Sequence, residues 1–185
     1  MRQELCLCDQ IPSLPITTRL ILVMTKRELK VPTNTGRLAT LALPNSVILV
    51  RGELDRPYDV REHLIPGAPS VLLYPYEGAA ELTPAYAAQL GAPLNLIVLD
   101  GNWRQTSKMR TRDATLAAMP VVTLPEGPAT QYRVRKESKV EGLATIEAIA
   151  RSLGAIEGPL VQSALETLLR VMVERVLSSR GQAGG

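Results

Sequence analysis

The sequence predicts an α/β fold in which helices flank a parallel sheet. Short runs rich in Val, Ile and Leu alternate with longer segments that have the apolar spacing of amphipathic helices. Proline, glycine and polar residues separate these segments, as is common between strands and helices. At 185 residues the chain is long enough for one domain with a substantial core, and neither a repeat nor a linker divides it.

The first part of the chain is predicted to contain strands and one short helix. Its predicted strands are residues 19–24, 46–50 and 70–74. Asn34 or Thr35 can cap a helix at residues 36–43, because each side chain carries an oxygen that accepts from a backbone N–H. Residues 53–69 contain prolines, a glycine and scattered charges, and they predict a loop with at most one helical turn.

The remainder of the chain is predicted to continue the alternation. Its predicted strands are residues 95–99 and 119–124, and its predicted helices are one that begins at Pro84 and others at residues 102–118, 142–153 and 159–178. Residues 1–18 form a short segment before the domain at residues 19–178. The glycine-containing end, residues 179–185, is predicted to be a disordered tail.

Composition permits several partners and excludes others. The chain has 21 Lys and Arg against 18 Asp and Glu, which gives a net charge of +3 and allows nucleic-acid binding without requiring it. No apolar run reaches the length of a membrane span, and the first residues lack the order of a signal peptide. We therefore expect a cytoplasmic protein with no membrane partner.

The most informative segment follows the apolar run at residues 95–99. Asp100, Gly101, Asn102 and Trp103 stand where a strand of an open α/β sheet ends and presents groups to ligands. Trp103 is the only tryptophan, and it could either enclose a planar ligand or pack in the core. Asp100 could take part in chemistry, or it could simply cap the helix that follows.

This segment, continued by Arg104 through Met109, resembles the Asp-x-Thr-Trp signature of the DTW-domain family. Members of this family are tRNA-uridine aminocarboxypropyltransferases that use S-adenosylmethionine (SAM) and are related to the knotted SPOUT methyltransferases. Further blocks that look like the family follow the same order, at residues 32–39, 73–75, 132–135 and 143–148. The resemblance implies a SPOUT-like parallel sheet with a trefoil knot, SAM as a consumed substrate, tRNA as partner and no protein partner.

The implied reaction places two demands on the site. A uridine nitrogen must lie in line with the methylene carbon beside the SAM sulfonium, so that methylthioadenosine leaves. Its proton must also be removed, and Asp100 could accept it or could instead hold the SAM amino group. Trp103 would enclose the methionine end of SAM. Two alternatives remain, namely a SPOUT-type SAM-dependent RNA methyltransferase and a non-catalytic RNA-binding module.

The resemblance also implies a set of residues that bind SAM. Thr35 would lie beside its methionine part, with Gly36 permitting close backbone approach, although a capped helix without a ligand explains both residues equally. Asn102 replaces the threonine of the family motif, and both side chains can cap a helix. The full predicted set is Thr35, Leu73, Tyr74, Pro75, Gly101, Asn102, Trp103, Leu124, Pro125, Tyr132, Leu143 and Thr145.

Basic residues supply candidates for RNA contact. Arg104 and Lys108 are four residues apart and share one helix face, where they could bind phosphate or simply be solvated. The same two interpretations hold for the basic run that includes Lys136. The predicted RNA-binding residues are Arg37, Arg104, Lys108, Arg133 and Arg135.

The two cysteines, Cys6 and Cys8, are too close in sequence for an ordinary disulfide. Related proteins carry a zinc knuckle of which this pair resembles the second half. A closed zinc site needs four ligands, and His63, the only histidine, is distant in sequence. We therefore expect two reduced thiols and no bound metal.

Overall fold

The computed structural model describes residues 6–52, 58–134 and 142–181. Within these ranges, parallel strands form one six-stranded sheet in the order β2-β1-β5-β3-β6-β4. The strands are β1 (Arg19–Thr25), β2 (Ser46–Arg51), β3 (Ser70–Leu73), β4 (Ala80–Glu81), β5 (Asn95–Asp100) and β6 (Val121–Thr123). Helices flank this sheet, so the predicted α/β class is confirmed.

The predicted helices are present in the predicted order, and α1, which the sequence patterns did not predict, precedes them. The helices are α1 (Lys26–Leu29), α2 (Thr35–Ala42), α3 (Pro84–Leu90), α4 (Trp103–Arg112), α5 (Ala114–Ala118), α6 (Thr145–Glu157) and α7 (Pro159–Ser179). A 3₁₀ turn, Val60–His63, lies in the stretch that was predicted to be a loop with room for a helical turn. α7 runs through Ser179, the first residue of the predicted tail, and residues 182–185 of that tail lie outside the described ranges.

Alternation along the strands divides the core between the two faces of the sheet. Leu20 and Leu22 of β1 belong to the larger cluster, which includes side chains of α2, α6 and α7. Ile21 and Val23 point to the opposite face, where the smaller cluster includes Met109 of α4 and a leucine of α5. All residues of β5 are buried, because β5 lies between β1 and β3 and is covered on both faces.

The helix predicted at residues 102–118 is two helices. Asp113 ends α4 and also caps α5, with its Oδ1 accepting from the N–H groups of Thr115 and Leu116. The Tyr58 hydroxyl donates to Asp113 Oδ2 at 3.0 Å. Burial, together with this hydrogen bond, raises the pKa of Tyr58 to about 12, so the hydroxyl stays a donor at neutral pH.

The segment before β1 packs on the domain as far as the structure describes it. Leu7, Ile11 and Leu14 contact the larger cluster. The carboxylate of Glu157, at the end of α6, accepts hydrogen bonds from Thr17 and from both the N–H and hydroxyl groups of Thr18. Across the described ranges, no helix combines the length and the hydrophobicity needed to cross a bilayer.

The strand order gathers several loops at one edge of the sheet. From β1 the chain moves to β2 on one side, and it later forms β3, β6 and β4 on the other side of β5. In open α/β sheets such a change of direction creates a crevice beyond the carboxyl ends of the strands. Asp100 is the last residue of β5, so it lies at this carboxyl edge.

Candidate functional site

Asp100 is the meeting point of three segments that are distant in sequence. Its Oδ2 accepts from Asn34 Nδ2 at 2.5 Å, and its Oδ1 accepts from Thr145 Oγ1 at 2.5 Å. The side chain is buried, with 6% of the residue exposed. Asp100 does not cap α4, since that cap is Asn102, and the helix-capping interpretation of Asp100 is therefore wrong.

Asn34 uses both ends of its side-chain amide. Its Oδ1 accepts from the N–H of Arg37 at 2.7 Å, which makes it the N-cap of α2, while its Nδ2 donates to Asp100. Asn34 was predicted to cap this helix or to bind a ligand carboxylate or phosphate at its start, and its bond to Asp100 was not predicted. The available signal was chemical, because an asparagine cap has a free NH₂ group that threonine lacks.

Gly36 allows the close backbone approach that its sequence context predicted. The groups that come close to it are side chains of the protein itself. A Cβ at this position would lie 3.0 Å from Leu22 Cδ2, 3.1 Å from Thr145 Cγ2 and 3.4 Å from Asp100 Cγ. The start of α2 can therefore pack directly against β1 and the start of α6. Thr35, one residue earlier, is buried at the same place, with 6% exposed.

The Asp100 carboxylate is held by neutral donors. Within the described ranges it forms no ion pair, and the ion pairs found there join Arg61 to Asp59 and Arg175 to Asp9. A buried carboxylate without a countercharge is costly unless a cation compensates it, so this position suits a positively charged ligand group. In the same ranges no group of three or more His, Cys, Asp or Glu side chains is arranged to hold a metal ion.

Aromatic side chains adjoin Asp100 along the carboxyl edge. Trp103, the first residue of α4, is partly exposed and meets Tyr74 edge to face, with ring centroids 6.4 Å apart and an interplanar angle of 77°. Tyr74 directly follows β3, and its N–H donates to Val122 O at 2.9 Å. Trp103 therefore lies at the rim of the carboxyl edge rather than in the sealed core.

The turn between β5 and α4 is fixed by a capping box. Asn102 Oδ1 accepts from Gln105 N at 3.0 Å, and Gln105 Oε1 accepts from Asn102 N at 2.9 Å. A Cβ on Gly101 would lie 2.9 Å from Gln105 Oε1. Asn102, which replaces the family's threonine, thus still caps the helix. Its side-chain oxygen bonds to Gln105 within the turn.

The loops on either side of residues 135–141 join the same edge. Tyr132 is 5% exposed, and its hydroxyl donates to Thr33 O at 3.2 Å. Glu147, on the first turn of α6, accepts from Thr130 Oγ1 at 2.6 Å, from Gln131 N at 2.7 Å and from Ala144 N at 2.8 Å. No role was predicted for Glu147, although its position three residues after Ala144 is that of the glutamate in a capping box, whose other half an alanine cannot supply.

The remaining predicted ligand residues differ in exposure. Leu73 is buried in the core at the end of β3, Leu124 and Leu143 are partly buried, and Pro75 and Pro125 are exposed after β3 and β6. They lie at or just after the ends of β3 and β6, which are neighbours in the sheet, or just before α6.

The predicted RNA-binding residues are mostly accessible. Arg37, Arg104 and Arg133 are exposed, and Lys108 is partly exposed. None of these four side chains forms an ion pair with another residue in the described ranges. Arg135 lies outside the described residues.

Cys6 and Cys8 are free thiols with their sulfur atoms 2.9 Å apart. The hydrogen bond between them lowers the pKa of the Cys6 thiol and raises that of Cys8. Arg175 of α7 donates to the carbonyl oxygen of Cys6, which ties this pair to the carboxyl-terminal helix and away from Asp100.

Comparison with known proteins finds a family, curated relatives and a solved structure that resemble this chain. Residues 1–177 match the family described as the DTW domain. A curated relative, tRNA-uridine aminocarboxypropyltransferase 2 of Macaca fascicularis, is 26% identical over 176 residues, which is 91% of this chain and 57% of the relative's length. A solved structure of the SAM-dependent rRNA:acp-transferase Tsr3 from Vulcanisaeta distributa aligns at 14% identity with a TM-score of 0.47, covering 89% of this chain and 79% of that one.

Proposed function

The chain belongs to the DTW domain family, and from this we propose that it transfers the 3-amino-3-carboxypropyl group of SAM to a uridine of tRNA. The name of the macaque relative describes the same chemistry, and this chain spans 57% of that relative's length. The observation that carries the proposal is Asp100, a buried carboxylate that Asn34 and Thr145 hold by neutral hydrogen bonds.

The surroundings of Asp100 suit a cationic substrate. SAM carries a sulfonium and an ammonium group, and within the described ranges this carboxylate forms no ion pair that such a group would have to displace. Each carboxylate oxygen can accept a second hydrogen bond, so Asp100 can still bind a ligand while Asn34 and Thr145 fix its orientation. Orientation fixed before binding is what a positioning group requires.

In the proposed reaction one bond forms while another breaks. The uridine nitrogen bonds to the methylene carbon, the bond from this carbon to sulfur breaks, and its electron pair stays on the sulfur of the departing methylthioadenosine. The proton of the uridine nitrogen passes to Asp100, or to solvent if Asp100 holds the SAM ammonium instead. The SAM methyl carbon is a competing electrophile, so the choice of product depends on which carbon faces the uridine.

We assign the SAM pocket to the crevice at the carboxyl edge. Trp103 would enclose the methionine end, Tyr74 would lie beside it, and Thr35 would contact it from the start of α2. Backbone groups of the turns after β3, β5 and β6 and of the start of α6 would hold the remainder, including adenine. The trefoil knot that the family resemblance implies stays a prediction.

The RNA would approach over the same edge. Arg37 is exposed on the first turn of α2, and Arg104 and Lys108 lie on the first two turns of α4. Both helices begin beside Asp100, and Arg133 lies in the loop anchored by Glu147. Together with Arg135, these side chains are the proposed phosphate contacts.

One experiment separates the enzymatic alternatives. The purified protein is titrated calorimetrically with SAM and with methylthioadenosine, and is then incubated with SAM and tRNA for mass spectrometry of the released nucleoside. We expect both compounds to bind, and methylthioadenosine to accumulate as modified uridine appears. Release of S-adenosylhomocysteine would instead identify a methyltransferase, and tRNA binding without either product would identify a non-catalytic module.

A further inference from the structure

We propose that the ring of Tyr76 is a stacking platform for a nucleobase of the RNA substrate, supported from beneath by the guanidinium of Arg110. This inference rests on the proposed function, because it assigns another contact to the RNA that would be modified beside Asp100. It concerns residues that neither the sequence motifs nor the predicted basic contacts include.

Three rings and one guanidinium form a continuous row, which we call the aromatic row: Trp103, Tyr74, Arg110 and Tyr76. The Trp103 and Tyr74 centroids are 6.4 Å apart. The guanidinium carbon of Arg110 lies 5.3 Å from the Tyr74 centroid and 4.7 Å from the Tyr76 centroid. The row therefore extends from the turn that follows Asp100 to the protein surface.

Arg110 is placed by these rings rather than by a carboxylate. It forms no ion pair within the described ranges, and its Nε is buried there without a hydrogen-bond partner. Guanidinium groups stack favourably on aromatic faces. One face of the Tyr76 ring thus has a support that fixes the ring's orientation.

Tyr76 presents a large apolar surface to solvent from a restricted backbone. The residue is 51% exposed, whereas most large apolar side chains of this protein are buried. Pro75 restricts the backbone before it. After it, the N–H of Ala79 donates to Tyr76 O at 3.1 Å and Gly78 has a φ of +81°, which is typical of a closed turn. A ring held in this way loses little conformational freedom when a ligand stacks on it.

The local charge favours a base over a phosphate. Glu77, the next residue, is exposed, and its carboxylate would repel a phosphate at this position. Stacking on an aromatic ring needs no such countercharge and tolerates any base. Enzymes that modify a base inside a folded nucleic acid draw it out of the stack, which exposes the faces of neighbouring bases. Tyr76 is placed to cover one of them.

The adenine of SAM has the same stacking chemistry, so the test measures both ligands on the full chain. Binding of fluorescein-labelled total tRNA is measured by anisotropy over a range of salt concentrations, and binding of SAM is measured by calorimetry. Tyr76→Ala is expected to weaken tRNA binding about tenfold, as for loss of one stacked base. The slope of log K against log salt should stay unchanged, because no phosphate contact is lost.

Two further variants sharpen the comparison. Tyr76→Phe keeps the ring and should bind tRNA like the original protein. Leu160→Ala removes an apolar side chain that is 85% exposed at the start of α7, and it should leave tRNA binding unchanged. SAM affinity should be the same in all three variants.

The inference is overturned if Tyr76→Ala binds tRNA normally, or if Tyr76→Phe is as weak as Tyr76→Ala. A parallel loss of SAM affinity would also overturn it, since the ring would then hold adenine. If the proposed function is wrong, different measurements show it: the original protein neither binds SAM nor releases methylthioadenosine. The tRNA-binding comparison still decides the role of Tyr76 in that case.

Discussion

A single carboxylate organises this site at the scale of individual residues. Asp100 receives one hydrogen bond from a helix cap, Asn34, and one from the first residue of another helix, Thr145. Both partners are therefore held by backbone structure as well as by the carboxylate. Replacing Asp100 tests whether this arrangement serves a ligand or only the fold.

Asp100→Asn is expected to leave the fold intact and to abolish most of the activity. Asparagine keeps the size and one acceptor oxygen, and the Thr145 hydroxyl can rotate to accept from the new amide. If Asp100 holds the SAM ammonium, SAM affinity falls by about 1.5–3 kcal/mol, as for a charge-assisted hydrogen bond. If it accepts the proton, SAM still binds while turnover drops by about 10² or more.

The control for this substitution is Asp113→Asn. Asp113 caps α5 and lies at the opposite end of α4 from Asp100. This variant should keep its activity, because asparagine caps a helix about as well as aspartate. Calorimetry and single-turnover kinetics distinguish the two roles of Asp100. Near-normal tRNA modification by Asp100→Asn would show that the carboxylate has no part in the reaction.

At the scale of secondary-structure elements, Glu147 joins a loop to a helix. Its carboxylate accepts from the loop residues Thr130 and Gln131 and from Ala144 at the start of α6. The residue is only 4% exposed, so water cannot accept the hydrogen bonds of these donors in place of Glu147. The position of the loop that carries Tyr132 therefore depends on this one side chain.

Glu147→Gln is expected to lower the free energy of unfolding by about 1–3 kcal/mol, because a buried donor loses its acceptor. The effect should also appear locally, as faster hydrogen exchange at the amides of Gln131 and Ala144. Glu166→Gln is the matched control, since Glu166 bonds only to Gln162 on the same helix in the described ranges. Unchanged exchange at both amides would mean that other contacts hold the loop.

Element by element, the sequence predicts what local patterns determine and misses what distant residues determine. The apolar runs predict every strand except β4, whose two residues show no period and pair with the edge of the sheet at β6. The helical spacing of residues 102–118 hides the break at Asp113, although an aspartate that caps a new helix is itself a local signal.

The same limit applies to the candidate site. The position of Asp100 at a strand end and that of Thr145 at a helix start follow from sequence patterns. That Asp100 meets both Asn34 and Thr145 does not follow from sequence patterns, because these partners are 66 and 45 residues from Asp100 and no local signal pairs them. The aromatic row escapes prediction for the same reason, since Arg110 and Tyr76 lie on separate elements.

At the scale of the whole molecule, the two edges of the sheet differ in their roles. At the amino edge, Asn95 at the start of β5 is bonded to the backbone of Ile65 and Ala68, so loops there are fastened to the sheet. At the carboxyl edge, Arg37 and Arg104 are exposed on the first turns of α2 and α4, the two helices that begin beside Asp100. A net charge of +3 can bind RNA only if its positive potential is concentrated at such an edge.

Arg37→Ala is expected to weaken tRNA binding and to reduce the slope of log K against log salt by about 0.9, as for one lost phosphate contact. SAM affinity should not change, since Arg37 is exposed outside the crevice. Arg61→Ala is the control, because Arg61 is exposed near the amino edge and is paired with Asp59. If Arg37→Ala and Arg61→Ala give equal slopes of log K against log salt, the RNA-binding surface does not include Arg37.

The lowered pKa of Glu157 predicts how the stability of the fold changes with pH. Partial burial raises its pKa, but the hydrogen bonds from Thr18 and Thr17 outweigh this and lower it. A lowered pKa in the folded state gives stability that is present at neutral pH and is lost as the pH falls through the folded-state value, below the ordinary pKa of about 4.3.

We therefore expect Glu157→Gln to have a lower melting temperature than the original protein at pH 7. The difference between the two melting temperatures should become smaller as the pH falls below about 4. Glu174→Gln, at an exposed position of α7, should follow the original protein throughout. Melting curves at a series of pH values measure this. A gap that stays constant with pH would show that Glu157 titrates alike in the folded and unfolded chains.

The distance in sequence between Asn34, Asp100 and Thr145 has a consequence for synthesis on the ribosome. Because the chain emerges from its amino terminus, Asn34 and Asp100 are available long before Thr145, which lies 45 residues after Asp100. β5 lies between β1 and β3, which both precede it in the chain, so these two strands are joined in the sheet only after β5 has been made. A nascent chain that ends before α6 should therefore be unable to retain the ligand, and ligand capture would mark the moment at which translation has delivered the carboxyl-terminal helices.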